Sequence, residues 1–270
     1  MNKLLFLCFF IVQTACAVFE RPIVVVTASY NNINWVKKNL DSIFTQKYDN
    51  FYLIYIDDCS TDGTGAFVQE YVKNRGLERK IKLIVNPVRK GALHNHYHAI
   101  HSVSSAAVII ILDGDDFFIH EDVLSTINQA YADRNIWLTY GQFREWPSDQ
   151  RGFCCQYPED IIVNNAFREY GHTPSHLRTY YAWLFKLIKK EDLFYEGDFF
   201  AMDADIATMF PMVEMAREGH FKFIEEELCL YNAENCLNDH KVSKELQVKL
   251  DQEIRSRKRY DKVQAPEFLK

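Results

Sequence analysis

The stretch Val108–Phe118, VIIILDGDDFF, decides how this chain is read. Five apolar residues, Val108 to Leu112, stop at three acids, Asp113, Asp115 and Asp116, and two phenylalanines follow at once. A short apolar run closed by polar residues is the pattern of a fully buried strand. Two earlier runs end in the same way. IVVVTASYNN (23–32) stops at Ser29, Tyr30 and Asn31, and FYLIYIDDCSTDGTG (51–65) stops at Asp57 and Asp58. Between them, Trp35, Val36, Leu40, Ile43 and Phe44 recur at helical spacing. AFVQEYVKN reads as a second helix, IKLIVN as a third strand ended by Pro87, and GALHNHYHAIHSV as a third helix. After the decisive stretch come the helix EDVLSTINQAYAD and the strand IWLTYGQF. This alternation predicts an α/β fold, a parallel sheet with helices on both faces. Ligands of such sheets sit beyond the C-terminal ends of the strands, where the polar strand ends converge.

From about Gln142 the pattern loosens. GHTPSHLRTYYAWLFKLI reads as a loop entering a helix, and MDADIATMFPMVEMAREG as a helix that Pro211 should kink. FKFI and ELCLYN read as short strands, and a charged, exposed helix ends the fold. No repeat or long linker divides the chain, so residues 21–141 and 142–262 are expected as two halves of one continuous domain.

The chain has 270 residues, a formal net charge of −6, 48% hydrophobic and 25% charged residues. That composition is globular and argues against nucleic acid as a partner. Residues 1–17, with Lys3, an apolar run from Leu4 to Val12 and Ala15-Cys16-Ala17, have the form of a signal peptide or short anchor. A cleaved leader places the protein in the lumen of the endoplasmic reticulum or Golgi. An uncleaved one in a bacterium places it in the cytoplasm, tethered to the membrane. Five of the seven cysteines lie beyond the leader without CxxC spacing, which leaves room for one long-range disulfide but signals no zinc module.

Close carboxylates repel unless a cation compensates them, and hard oxygen ligands suit Mg²⁺ or Mn²⁺. Asp113-x-Asp115 at a strand end therefore points to a metal that bridges to a diphosphate; a solvated acidic turn is the plain alternative. An aspartyl-phosphate phosphatase is disfavoured by Phe117 and by the three strands that precede the motif. DCSTDG fails as a calcium loop because its closing position is Gln69, and neither GxxxxGK nor GxGxxG occurs. His94, His98 and His101 share a helix face, a pattern that suits zinc but is common on solvated helices.

Taken together, VTASYNN, YIDDCSTDGT, NPVRKGALHNHYHAI and ILDGDDFF, in this order over residues 22–120, resemble the inverting glycosyltransferases of the A-type fold. The departure is Cys59, where that family usually has glycine. The resemblance implies a Rossmann-like, mostly parallel sheet flanked by helices, with a less regular acceptor-side lobe. It implies a metal-dependent enzyme that moves a sugar from a nucleotide-diphospho-sugar, most naturally a UDP-sugar, to a hydroxyl of a carbohydrate, protein or lipid. It assigns Ser29 and Tyr30 to the nucleotide, with Tyr30 stacking on the base, and Asp58 to the base N–H. Lys90 or Arg89 would meet the phosphates, and Asp113 the ribose. Asp115, Asp116 and His240 would form the metal shell. His176 and Arg178 fall on the acceptor side. Asp205 is the expected base, ahead of Asp203 and of Glu214, whose plainer role is on a surface helix face. Trp146 and Trp183 could stack on a sugar, though core packing suits both. A sugar nucleotidyltransferase should carry a Gly- and Lys-rich loop after the first strand, which TASYNNINW lacks. An idle sugar-binding protein would have little use for Asp58, Asp113, Asp115 and a base together.

Overall fold

The structure is a computed structural model that describes residues 19–171 and 174–269. The strand–helix alternation is present. In chain order come β1 (Ile23–Ser29), α1 (Val36–Phe44), β2 (Phe51–Asp57), α2 (Thr64–Arg75), β3 (Ile81–Val85), α3 (Ala92–His101) and β4 (Val108–Ile111). A two-residue β5 (Phe117–Phe118), α4 (Val123–Ala130), β6 (Leu138–Trp146) and α5 (Glu159–Val163) follow. Then come β7 (Arg178–Tyr181), α6 (Ala182–Lys186), the hairpin of β8 (Phe194–Tyr195) and β9 (Asp198–Phe199), and α7 (Ala204–Met215). The chain continues through β10 (Phe221–Asn232), α8 (Asp239–Val242) and α9 (Lys244–Ser256).

One eight-stranded sheet has the order β3-β2-β1-β4-β7-β6-β10-β5. The β1/β2, β2/β3, β1/β4 and β6/β10 pairs are parallel. The sheet is not wholly parallel, because β7 runs antiparallel between β4 and β6, and β5 runs antiparallel to β10. The loop expected over HLRTYY is therefore a central strand. Its polar residue Thr179 is fully buried, and its hydroxyl is hydrogen-bonded to the hydroxyls of Tyr131 and Thr139 at 2.8 and 2.7 Å. Those partners come from distant sequence. The two short strands expected near residue 225 are one strand, β10, whose register against β6 shifts between Ile224 and Cys229.

The reversal of β7 matters for function. Its first residue, Arg178, pairs in register with Ile111 at the end of β4. A parallel strand ends at this edge, and the antiparallel one begins there, so His176 and Arg178 meet the acids that follow β4.

Helix α7 is buried from Ile206 to Met215, as its apolar composition on all sides demands. Glu214 lies within it, fully buried rather than on a surface face. Its carboxylate accepts bonds from Arg168 Nε and Nη2 at 2.5 and 2.9 Å and from the Tyr260 amide at 2.9 Å. Glu214 thus fastens the C-terminal segment. Helix α9 is not wholly exposed, since Leu250 and Ile254 are buried. Cys59, Cys229 and Cys236 carry free thiols. Among the described residues no helix is long and apolar enough to cross a membrane; the leader lies outside them.

Candidate functional site

The turn after β4 is held from three sides. Its backbone closes on itself through the Asp116 amide and the Asp113 carbonyl at 3.0 Å. Asn39 of α1, fully buried, donates its amide to the Asp113 and Asp116 carbonyls at 3.0 and 2.7 Å. The Gly114 amide bonds the Ala28 carbonyl of β1, and a Cβ at Gly114 would lie 2.5 Å from Ser29 Cβ and Oγ. Glycine between the acids is thus required for β1 and β4 to end side by side. Ser29 is buried there, accepting a bond from Asn32 Nδ2 at 3.1 Å.

The three acids point to different partners. Asp113 Oδ2 lies 3.2 Å from Arg178 Nη2 and 3.7 Å from His176 Nε2. Asp115 Oδ2 accepts from Asn235 Nδ2 at 2.6 Å. Asp116 is buried. Its Oδ1 accepts the Asn232 amide at 2.8 Å, while Oδ2 has no hydrogen bond and lies 3.4 Å from His176 Nε2. Arg178, also buried, reaches Asp205 Oδ2 with Nη1 at 3.2 Å, and so joins the acids after β4 to the first turn of α7.

Burial opposes the charge on Asp113, but His176 and Arg178 outweigh it and hold its carboxyl below the usual range. Burial pushes Asp115 up to about 6; Asn235 resists this and the Asp113 charge adds to it. Asp116 is raised well above the usual range by burial and then by Asp115 and Asp113. Burial, then Arg178, lowers His176, which favours the neutral imidazole that a metal can use.

Asp113, Asp116 and His176 each offer a ligand atom within 4.8 Å of the others, the arrangement a cation needs. This differs from the expected set. Asp115 is turned toward Asn235, and His176, expected on the acceptor side, stands among the acids. His240 falls in α8, with its side chain outside the described part. The unpaired Asp116 oxygen and the mixed carboxylate–imidazole donors fit a divalent cation.

These residues line a cleft of about 600 Å³. Eight carboxyl side chains line it (Asp113, Asp115, Asp116, Glu145, Asp203, Asp205, Asp239 and Asp251) against two arginines, Arg89 and Arg178. A diphosphate entering alone would meet net repulsion, which an accompanying divalent cation would reduce.

Beside the cleft is a smaller cavity of about 120 Å³, reached by Tyr30 and Asp58. Asp58 binds the loop before α3, accepting the Lys90 and Gly91 amides at 2.9 and 2.8 Å and Asn86 Nδ2 at 2.7 Å. Lys90 contributes this amide from an exposed position, whereas Arg89 lines both cavities and lies over the Tyr30 ring, 4.1 Å from its centre. Asn86, which carries the Asp58 contact, directly follows β3 and precedes Pro87, a position with no chemical signal of its own in the sequence.

Asp203 precedes α7 in a left-handed conformation, φ 59°. Its Oδ1 accepts from Gln247 of α9 at 3.0 Å, and its Oδ2 is buried without a partner. Burial pushes Asp203 up to about 7 against the Gln247 bond, with the charges of Asp205, Asp239 and Asp251 adding to the rise. Asp205 is more open, with a third of its side chain exposed, and accepts Arg178 and the Ile206 amide. Glu214 is not part of the cleft.

Other sequence features are structural. His94 and His98 lie 4.4 Å apart between ring centres, but His101 packs at a tilt on Tyr97 with its Nδ1 on the Tyr97 carbonyl, so the three are not gathered into one metal site. Trp183 packs on Trp137, and Trp146 on Trp35 and Phe117, both away from the cleft. Cys59 has φ 67°, which explains why glycine suits this position.

The fold is found in solved glycosyltransferases. TarS 1-349 of S. aureus in complex with UDP-GlcNAc superposes with a TM-score of 0.60 at 15% identity, over 82% of this chain and 60% of that one. The mannosyltransferase PcManGT of Pyrobaculum calidifontis, solved with GDP-Man and Mn²⁺, gives 0.53 at 18% identity, over 78% and 57%. Glycosyltransferase GlyG of Streptococcus pneumoniae is 25% identical over 77% of this chain and 69% of its own length. The UDP-Glc:alpha-D-GlcNAc-diphosphoundecaprenol beta-1,3-glucosyltransferase WfgD of Escherichia coli is 30% identical over 54% and 55%. The chain thus spans little more than half to two thirds of the length of these relatives. The family model for glycosyl transferase family 2 matches residues 24–194, from β1 through the acid turn and β7, and the chain belongs to that family.

Proposed function

We propose that this protein is a metal-dependent inverting glycosyltransferase that uses a nucleotide-diphospho-sugar, with a UDP-sugar as first choice. The observation that carries the reading is the meeting of Asp113, Asp116, His176, Arg178 and Asp205 in one cleft beside the Tyr30–Asp58 cavity. Asp113, Asp116 and His176 would hold a Mn²⁺ or Mg²⁺ ion, which when bound supplies positive charge for the departing diphosphate.

The residues of the chain do the rest. Tyr30 offers a flat face to the base. Arg89, at the junction of the two cavities, is placed for the phosphates that join base to sugar, a role its position suits better than that of Lys90. Arg178 holds Asp113 and Asp205 at a fixed separation by pairing with both. Asp205 is the base we favour, because its carboxylate is exposed to the cleft where an acceptor would lie. There it takes the proton of the acceptor hydroxyl as that oxygen bonds to the anomeric carbon and the bond to the diphosphate breaks on the opposite face. Glycan acceptors, free or lipid-linked as in the name of the WfgD relative, suit the exposed Phe153 and Leu237 at the cleft.

The test is UDP release from a panel of UDP-sugars with Mn²⁺ and a mixture of glycan acceptors. Asp205→Asn is expected to lose turnover while still binding UDP. Unchanged turnover in that variant would move the base to Asp203, and no release from any donor by the wild-type protein would overturn the reading.

A further inference from the structure

One wall of the cleft is used by neither the nucleotide nor the metal. Phe153 lines it and is 56% exposed, although the backbone on both sides of it is tied down. The Gly152 amide bonds the Phe143 carbonyl at 2.8 Å, Gln142 Nε2 bonds the Cys154 carbonyl at 2.8 Å, and the Tyr140 hydroxyl bonds the Cys155 carbonyl at 3.1 Å. A Cβ at Gly152 would lie 2.5 Å from a ring carbon of Phe143 and 2.6 Å from Gln142 Oε1, so glycine is what lets this segment lie so close to β6. Cys154 is buried in the core, and Phe153 before it is left outside. Exposed apolar surface held in place at the edge of a cleft marks a surface that a ligand covers.

The position of the ring says which ligand. Phe153 meets Phe143 edge-on with centres 5.5 Å apart, and Phe143 meets His176 in the same way at 5.5 Å. A row of rings thus runs from the rim of the cleft to the cluster of His176, Asp113 and Asp116. In the sheet order β2-β1-β4-β7-β6, Tyr30 and Asp58 follow β1 and β2, the acids follow β4, and Phe143 stands on β6, beyond β7. Phe153 is therefore across the acids from the nucleotide cavity, on the side left open for an acceptor. Glu145 lines the same wall, two residues along β6 from Phe143 and so on the same face of the sheet. Its Oε2 accepts from Ser148 Oγ at 3.1 Å.

We infer that Phe153 and Glu145 form an acceptor subsite for a neutral carbohydrate, with a sugar ring packed on Phe153 and its hydroxyls donating to the Glu145 carboxylate. A pyranose carries C–H bonds on its faces and hydroxyls around its edge, and the negative face of an aromatic ring attracts those hydrogens. An anionic acceptor would meet Glu145 and the other carboxylates of the cleft. The two arginines there are already engaged, Arg178 with Asp113 and Asp205, and Arg89 over Tyr30. The inference rests on the glycosyltransferase reading above and names the acceptor class for it.

The test is saturation-transfer NMR on the full chain with Mn²⁺ and UDP. The probes are cellobiose, N,N′-diacetylchitobiose and lactose, set against disaccharides that carry a glucuronate. At least one neutral disaccharide is expected to receive saturation on its C–H hydrogens, and the glucuronate disaccharides much less. Phe153→Ala should weaken the neutral ligand by about tenfold, and Phe153→Tyr should retain it. Glu145→Gln should narrow the gap between neutral and anionic probes. UDP affinity, read by calorimetry, should be the same in all of these variants, a separation that a general loss of structure would not give. If Phe153→Ala fails to fold, Phe153→Leu, which keeps apolar bulk without the aromatic face, takes its place with the same expectation. Equal binding of the neutral disaccharide by wild type and Phe153→Ala would overturn the inference. So would glucuronate disaccharides that bind as well as neutral ones, or a protein that binds UDP but none of the neutral probes. Unchanged disaccharide signals in Phe153→Ala together with lost binding to phosphatidylglycerol vesicles would overturn it in favour of a membrane contact. Failure of the wild-type protein to bind UDP would instead refute the underlying nucleotide site.

Discussion

Replacing Gly114 with alanine would place a methyl carbon 2.5 Å from Ser29 Cβ and Oγ and 3.0 Å from Asn32 Nδ2. Non-bonded carbons rest at about 3.5–4.0 Å, so the ends of β1 and β4 must part by about 1 Å. Ser29 has no long side chain that could swing aside, and it is buried. Overpacking of this kind costs about 1–3 kcal/mol. At about 2–4 °C per kcal/mol for a chain near this size, Tm should fall by roughly 2–12 °C. Activity should suffer more, because the same displacement moves Asp113 and Asp115 against Arg178, His176 and Asn235, and a misplacement of about 1 Å can cost about 100-fold in rate. The assay is a thermal melt together with UDP release measured well below Tm. Ser29→Gly removes the atoms that clash, so the double variant should recover much of both losses relative to Ser29→Gly alone. A Gly114→Ala protein with the wild-type Tm and full turnover would refute this reading of the turn.

Three further outcomes are expected. Arg168→Met leaves the buried Glu214 without its cationic partner, with only the Tyr260 amide remaining, and should cost about 3–5 kcal/mol in chemical denaturation, while UDP affinity well below the transition stays unchanged. Cys59→Gly relieves a left-handed backbone at φ 67° and should stabilise by about 1 kcal/mol in the same assay; a loss of stability would contradict the strain assigned there. The raised Asp203 makes the folded state hold a proton that the unfolded state gives up earlier, so its contribution is present at pH 4 and is lost as pH rises toward 7. In chelator, Asp203→Asn should therefore be stabilised relative to wild type at pH 8 but not at pH 4. The difference is at most about 4 kcal/mol, from roughly three pKa units, and urea unfolding at the two pH values measures it.

How far the sequence could be read depended on whether the cause was local. Strands β1, β2 and β4 announce themselves because each apolar run stops at polar residues, and the helices between them carry their own periodicity. Strand β7 does not, because its arginine and threonine are satisfied only by Asp113, Asp205, Tyr131 and Thr139, which lie far away in the chain. For the same reason the sequence alone does not bring His176 to the acids. Its position among the acids follows from β7 running backwards between β4 and β6, a matter of topology rather than spacing. A signal was available in the pair of polar residues, His176 and Arg178, on alternate positions of a run otherwise suited to a strand. Asp115 shows the reverse case. The motif makes it a natural metal ligand, and the structure adds a partner that no local spacing announces, Asn235 after β10, whose amide donates to one of its two oxygens. Glu214 looks like a surface residue in the sequence because a buried ion pair with Arg168 leaves no local mark in the helix that carries it.

The central claim is that Asp113, Asp116 and His176 hold a cation on which nucleotide binding depends. Calorimetric titration of UDP with Mn²⁺ and then in EDTA tests it most directly, for the wild-type protein and for Asp116→Asn. The expected result is binding that is about tenfold or more tighter with Mn²⁺, with most of that gain lost in Asp116→Asn. Equal UDP affinity with and without the metal would contradict it.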